Sequence, residues 1–334
     1  MITVIIVTYN SKNTILDVLE ALSKQTVKSF KLIIVDNHSE DDTMELIKAY
    51  LKNSELSKKS IIIELNENTG FANGNIKGFL QQHESEYIAL LNPDAIPDRY
   101  WLENLLLSIK KYSNVGICAS KLIHDVTKKI DSAGDGYSKI LKGFKRGEGA
   151  SFDLFNTEEF VFGACAGAAL YRKKMLDEIG FFDKDFFLIY EDTDLNFRAQ
   201  LAGWKALFVP TAIVHHKVRT TIGIMSDTAI YYSLRNSEFV RIKNVPISIF
   251  FRCLPEIILS EILEFIYFAI IHLRIKIYFK AKLDAFIFFP KMWKKRKEIL
   301  RKKKVSDAYI MNLLTPVWQK DYMIAKLKKF IGIV

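Results

Sequence analysis

The 334-residue chain predicts an α/β fold, a mostly parallel sheet with helices on both faces, followed by a helical, amphipathic and basic C-terminal region. Three observations predict it. Continuous apolar runs of strand length alternate with amphipathic helix patterns over roughly the first 120 residues, as expected for strands buried on both faces. Polar residues gather at the C-terminal tips of those runs, where open α/β sheets bind ligands. The charge is segregated: residues 271–330 carry 17 Lys+Arg against 4 Asp+Glu, a net of +13, and the whole chain is +10, which leaves −3 for the rest. The expected division is therefore residues 1–230 as the α/β domain and 231–334 as the helical region.

The elements follow in order. "TVIIVTY" reads as a strand. "SKNTILDVLEALSKQ" reads as a helix with Ser11 at its N-cap and Ile15, Leu16, Val18, Leu19 and Leu22 on one face. "KLIIVDN", "SIIIELNEN", "YIALLN" and "VGICASKLI" read as further strands. "SEDDTMELIKAYL", "GFANGNIKGFLQQ" and "RYWLENLLLSIKKY" are the segments between them, the first with acids in its opening turn. Residues 124–160 are polar and glycine-rich, which suggests a long loop or hairpin insertion. A second block ends in the strand "LFVPTAIVHH", and long apolar helices and lysine runs start near residue 231. Half the residues are hydrophobic, enough for a large core. Cys118, Cys165 and Cys253 lack metal-ligand spacing and are expected as reduced thiols of a cytosolic protein. Met1 leads straight into "ITVIIVTYN" without a basic n-region, so no signal peptide is expected.

The strand tips carry Thr8-Tyr9-Asn10, Asp36-Asn37, Asn66 to Gly70, Asn92-Pro93-Asp94 and His215-His216, all expected on one edge. Asn, Asp and Gly are also ordinary turn residues, so the argument rests on the set and not on any one tip. Neither G-x-G-x-x-G nor G-x-x-x-x-G-K-[ST] is present. An anion must be held another way, and a carboxylate with a divalent cation is one. Asp94 is a hard oxygen donor suited to Mg2+ or Mn2+, and a histidine co-ligand favours Mn2+. Spacing alone leaves open whether His215 or His216 takes that part, or neither. "IYEDTDLNFRAQLAGW" puts Glu191, Asp192 and Asp194 at a helix start, where acids also complement the helix dipole. The apolar "FFLIY" leading into them suits a carboxylate acting as general base. Lys217, Arg219 and Thr220 are candidates for phosphate contacts, against a plain solvated loop.

Together, "VIIVTYNS", "LIIVDNHSEDDT", "NENTGFANGNIKG", "LLNPDA", "FGACAGAALYRKKMLDEIGFFD", "YEDTDLNFRAQLAGW" and "HH" resemble the inverting family 2 glycosyltransferases of GT-A (Rossmann-like) fold, in particular rhamnosyltransferase-like members. The resemblance covers roughly residues 1–220, in order. It implies that Thr8, Tyr9, Asn10 and Asp36 bind base and ribose, and that Asn68, Gly70, Phe71 and Asn75 line the donor site. It implies Asp94 and His215 as metal ligands, with His216 as the alternative, on a nucleoside-diphosphate sugar. Asp192 becomes the general base, with Glu191 and Asp194 supporting it or the acceptor. The small residues of "GACAGAA" would allow close backbone approach to donor or acceptor. Asn92 stands where an Asp-x-Asp motif has its first acid, which removes one charge.

In the tail, "PEIILSEILEFIYFAIIHLRIKIYF" is apolar but interrupted by Glu256, Glu261, Glu264 and Arg274, so a spanning helix is not expected. "PKMWKKRKEILRKKK" and "DYMIAKLKKFIGIV" interleave basic and apolar residues, a pattern suited to an anionic membrane surface rather than to nucleic acid. A peripheral enzyme on the cytoplasmic face of the cell membrane, acting on a lipid-linked glycan acceptor in polysaccharide synthesis, is the expectation. The competing readings are a membrane-attached nucleotide-binding scaffold with a degenerate site, a nucleotidyltransferase on a related fold, and a solvated face with a homo-oligomer contact through residues 250–290.

Overall fold

The computed structural model describes residues 1–82, 84–217 and 226–317. Arg219, Thr220 and the "DYMIAKLKKFIGIV" segment lie outside the described residues. The chain opens as the alternation predicts: β1 (Ile2–Thr8), α1 (Ile15–Ser23), β2 (Phe30–Asp36), α2 (Thr43–Lys52), β3 (Ser60–Glu64), α3 (Gly70–Leu80) and β4 (Tyr87–Leu91). Next come β5 (Ala95–Pro97), α4 (Trp101–Lys111) and β6 (Val115–His124). β3, β2, β1 and β4 lie side by side and parallel, with Thr8 opposite Asp36 and Asp36 opposite Glu64. Their polar tips therefore share one edge.

Alternate residues of each strand face opposite layers. On β1, Ile2, Val4 and Ile6 pack with Val18, Leu19 and Leu22 of α1 and Leu102 and Leu105 of α4. Ile5 and Val7 face the other layer with Ala72 of α3. α1 buries Ile15, Val18, Leu19 and Leu22, the spacing of a single helix face. The helix begins later than Ser11, at Ile15. The Ser11 carbonyl accepts from the Thr14 and Ile15 amides and forms a turn, so its side chain is not the cap.

Of the two expectations for the insertion, loop or hairpin, the hairpin is the one found. It holds β7 (Ile130–Ala133), β8 (Asp135–Ser138), β9 (Gly143–Lys145) and β10 (Glu159–Val161). β7 adds to β6 antiparallel, and β8 and β9 form a hairpin. β11 (Ala168–Arg172) then enters antiparallel between β4 and β6. α5 (Lys173–Ile179), α6 (Glu191–Leu201) and β12 (Lys205–His216) follow, and β12 runs parallel to β6. The sheet is thus parallel in its first half and mixed in its second. β5 folds back antiparallel onto the end of β12.

The C-terminal helices are α7 (Asp227–Asn244), α8 (Ile247–Arg252), α9 (Leu254–Glu264), α10 (Ile275–Ile287), α11 (Phe289–Arg301) and α12 (Asp307–Leu313), with a π-helical segment at Phe265–Ile271 and a short β13 (Leu314–Thr315). One core joins Tyr137, Phe162, Phe186 and Phe197 to Phe239, Val240, Met292, Ile310 and Leu314. β13 pairs with β8. Residue 230 is therefore not a packing boundary: the helices complete the core of the preceding domain. Among the described residues, no helix is long and apolar enough to cross a membrane.

Candidate active site

The first two tips are stitched together by loop hydrogen bonds. The Asp36 carboxylate accepts from the Ser39 amide and hydroxyl at 3.0 and 2.6 Å. Asn10, at φ +49°, accepts from the Glu40 amide through its side chain and donates its own amide to Ser39 Oγ. Tyr9 is half-buried, with its amide on Ser11 Oγ. Thr8 Oγ1 is buried without a protein partner.

Several residues expected to line the donor site serve the loops instead. Asn68 Oδ1 accepts from Asn37 Nδ2 and from the Gly70 amide. Asn75 is buried and donates within α3 to the Phe71 carbonyl. Phe71 packs on the Phe182 ring. Gly70, at φ +82°, lies so close to Phe187 that a Cβ would sit 2.5 Å from the Phe187 carbonyl oxygen. That carbonyl accepts from the Ala72 amide and closes the start of α3. The small residues after Val161 also differ from expectation: a Cβ on Gly163 would meet the Asn196 side chain at 2.1 Å. Asn196 takes that space and bonds the backbone of Ala164 in both directions.

Asp94 and a histidine do meet, but the histidine is His216. Its Nε2 lies 3.2 Å from Asp94 Oδ1. His215 instead faces Asp98 Oδ1 at 3.5 Å. The reason is strand alternation: β5 pairs with β12 so that Ala95 opposes His216 and Ile96 opposes His215, and only one of two consecutive side chains can share a face with Asp94. The Asp94 carbonyl also accepts from the Lys217 amide, while the Lys217 side chain bonds Asp17 on the surface.

Behind His216 stands a carboxylate that sequence reasoning missed. Asp131 Oδ2 is 3.0 Å from His216 Nδ1, and Asp131 Oδ1 takes Lys145 Nζ at 2.6 Å. Both lie in the insertion expected as a loop or hairpin. Burial alone would raise the Asp131 carboxyl, but Lys145 and His216 outweigh it and hold the group below the usual carboxylate range. Burial would lower His216, yet its hydrogen bonds to Asp131 and Asp94 raise it to about 9. An imidazole fixed at Nδ1 by a carboxylate points Nε2 at the other donor, the usual second-shell arrangement of a metal-binding histidine. The donor set, one carboxylate oxygen and one imidazole nitrogen, fits a divalent cation. Among the described residues no cluster of three or more such side chains forms a metal site, and a pair suits a cation that shares its remaining positions with phosphates and water.

Asp192 opens α6. Its Oδ1 accepts from the Thr193 amide at 2.6 Å and its Oδ2 from the Ala166 amide at 3.2 Å. Burial nevertheless raises its carboxyl above the ordinary value, against those bonds and the charge of Lys145. Asp135, also in the insertion, is buried and pushed well above the ordinary range by burial and by the Asp192 charge. Glu191 is buried and raised in the same way, and its Oε2 has no protein partner. Asp194 differs from expectation: it is fully buried against Arg198 Nε at 2.9 Å and Lys243 Nζ at 2.8 Å, which hold it charged inside the protein and away from a ligand.

The segment that delivers Asp192 is strained. Phe187, Ile189 and Tyr190 all have positive φ, 63°, 64° and 75°. α7 clamps it. Asn236 Nδ2 lies 2.9, 2.8 and 2.7 Å from the carbonyls of Phe186, Leu188 and Ile189. Arg235 Nη2 donates to the carbonyls of Asp185 and Phe186, and Tyr232 stacks on Phe187. Asn236→Ala leaves buried carbonyls unpaired, so a stability loss of about 1–3 kcal/mol is expected. Asp192 should also be misplaced, with kcat falling on the order of tenfold or more. Thermal melts and steady-state rates of the same preparation check both.

A doubly covered α/β sheet, with a cation-fitting Asp–His pair and a helix-borne carboxylate on one edge, has the layout of a GT-A domain. The chain belongs to glycosyl transferase family 2, whose model matches residues 3–180. A second model, glycosyl transferase family group 2, matches residues 154–234. Poly-beta-1,6-N-acetyl-D-glucosamine synthase of Staphylococcus aureus is 26% identical over 226 residues, covering 66% of this chain and 51% of that protein. The Staphylococcus epidermidis enzyme of the same name is 26% identical over 219 residues, 64% of this chain and 49% of that one. The chain thus spans about half the length of the curated relatives it matches. Two solved structures share the fold. GalNAc-T7 with UDP, GalNAc and Mn2+ has a TM-score of 0.58 at 14% identity, over 72% of this chain and 47% of that one. The mannosyltransferase PcManGT of Pyrobaculum calidifontis with GDP-Man and Mn2+ has 0.55 at 15% identity, over 99% and 84%.

Proposed function

We propose that this protein is a metal-dependent inverting glycosyltransferase that moves a sugar from a nucleoside-diphosphate sugar to a hydroxyl of a lipid-linked glycan, in polysaccharide synthesis at the cytoplasmic face of the cell membrane. The observation that carries the reading is the Asp94–His216–Asp131 relay on the same sheet edge as Asp192. Thr8, Tyr9, Asn10 and Asp36 are the proposed base and ribose contacts; the unpartnered Thr8 Oγ1 supports this. Asp192 takes the proton of the acceptor hydroxyl as its oxygen bonds to the anomeric carbon, and the bond from that carbon to the diphosphate oxygen breaks. Burial raises the proton affinity of this base, and its charge in turn raises the neighbouring buried acids Glu191 and Asp135. A divalent cation, Mn2+ or Mg2+, held by Asp94 and His216 would supply positive charge to the departing diphosphate.

The rhamnosyltransferase-like reading rests on the ordered set of motifs across residues 1–220, whereas the named relatives are N-acetylglucosamine polymer synthases. The donors therefore compete as dTDP- and UDP-sugars. Calorimetry with UDP, dTDP and GDP, each with and without Mn2+ or Mg2+, separates them. Metal-dependent binding of one nucleotide is the expected result. Binding of none under any metal would overturn the transferase reading and leave the scaffold.

A further inference from the structure

Glu261 and Glu264 look like interruptions in sequence, but they face inward. Glu261 bonds Lys282 Nζ at 2.5 Å and Arg241 Nη2 at 3.0 Å, and it lies 3.7 Å from Lys142. Glu264 pairs with Lys142 as well. The outer face keeps the apolar side chains. Of the 27 large hydrophobic residues exposed among the described residues, 17 fall between Ile247 and Trp293.

They form stripes at helical spacing. Ile258, Ile262, Ile266 and Ile270 run along α9 and the π-helical segment, with Leu263 alongside. Ile275, Phe279, Leu283 and Phe286 run along α10, and Phe286 is 76% exposed. Ring contacts of Phe265 with Tyr278 and Phe279, at 5.5 and 6.1 Å between centroids, bring the two stripes side by side. Trp293 stacks on Phe289 at the α11 end. The exposed charges beside the stripes are mostly basic, among them Arg252, Lys276, Lys280, Lys294 and Lys297.

We propose that the outer face of α9, the π-helical segment and α10 docks on an anionic lipid surface. An apolar face this large is unusual for protein surrounded by water. Its cationic rim complements acidic headgroups, and the long lysine stems reach from the apolar layer to them. A self-associating interface would instead be depleted of lysine. The proposal stands independently of the transferase reading, and a surface-held enzyme would meet an acceptor confined to two dimensions.

The test is co-sedimentation of the full chain with vesicles of phosphatidylcholine alone or mixed with phosphatidylglycerol. The wild type is expected to pellet with the anionic vesicles and to be released by salt. The Leu263→Asp/Phe286→Asp double variant should lose about tenfold or more in partitioning. Lys276→Glu/Lys294→Glu should lose binding to anionic vesicles, also about tenfold. Melting temperature and nucleotide binding of the variants should match wild type, since these side chains point outward. Wild type left in the supernatant overturns the proposal. So does a double variant that pellets like wild type, because binding would then lie elsewhere. A dimer that the double variant converts to monomer, without vesicle binding, assigns the face to a second copy instead.

Discussion

Asp192→Asn is expected to lower kcat by roughly 10²–10⁴-fold, the usual contribution of a positioned general base, with nucleotide binding unchanged. The substitution keeps the shape of the side chain at the start of α6. It exchanges one oxygen that accepts from Ala166 or Thr193 for an amide that cannot accept, so a modest stability loss should accompany it. The pH profile supplies a second reading. Burial holds the Asp192 carboxyl above its ordinary value, which is about 4 in water. A base must be deprotonated to work. Wild-type kcat/KM should therefore fall as pH drops through a point above the ordinary aspartate value, and that acid limb should vanish in the variant. An Asp192→Asn enzyme with wild-type kcat would move the base to Asp135 or Glu191, the two buried acids beside it.

The second large effect separates two adjacent histidines. His216→Ala should weaken Mn2+-dependent nucleotide binding by about 10²-fold or more, since loss of a mere second-shell partner typically costs 10–100-fold. Asp94→Ala should behave alike. His215→Ala should change binding little, because its imidazole faces Asp98. Asp131→Asn tests the relay: it removes the charge that orients His216, and a loss of about 10–100-fold in metal affinity is expected. Calorimetric titration of Mn2+ in the presence of nucleotide reads all four variants. Equal losses in the two histidine variants would mean that the end of β12 is not held as the register of β5 requires.

Much of the fold was legible because burial on both faces leaves a simple pattern. β4 is apolar throughout and β1 and β2 at all but two positions each, and α1 repeats its apolar residues at helical spacing. Asp94 and Asp192 were legible as candidates for the opposite reason, as acids set within three residues of the end of an apolar run. The insertion was not. "KKIDSAGDGY" is short, polar and glycine-containing, so it reads as turn, yet β7 adds to β6 and carries Asp131 to His216. Its Asp131 and Asp135 lie four apart around Gly134, and only the folded sheet, in which β7 pairs with its neighbour β6 and Asp131 meets His216 of β12, shows that both are buried. Asp194 looked like a site acid because Lys243, which joins its helix neighbour Arg198 in pairing with it, comes from the distant α7.

The sequence by itself determined the layered α/β class, the polar strand tips that share one sheet edge, the candidate site acids Asp94 and Asp192, and the concentration of positive charge near the C-terminus. These depend on local periodicity and composition. Tertiary structure alone decided that His216 and not His215 faces Asp94, that Asp131 stands behind it, and that α7 reaches back to hold the strained Phe187–Tyr190 turn. It also decided that Glu261 and Glu264 turn inward and leave an apolar face outside. Each of those outcomes is set by the register of a strand or the rotation of a helix against a partner elsewhere in the fold; a one-residue slip sends a strand side chain to the opposite face and turns a helix side chain by about 100°.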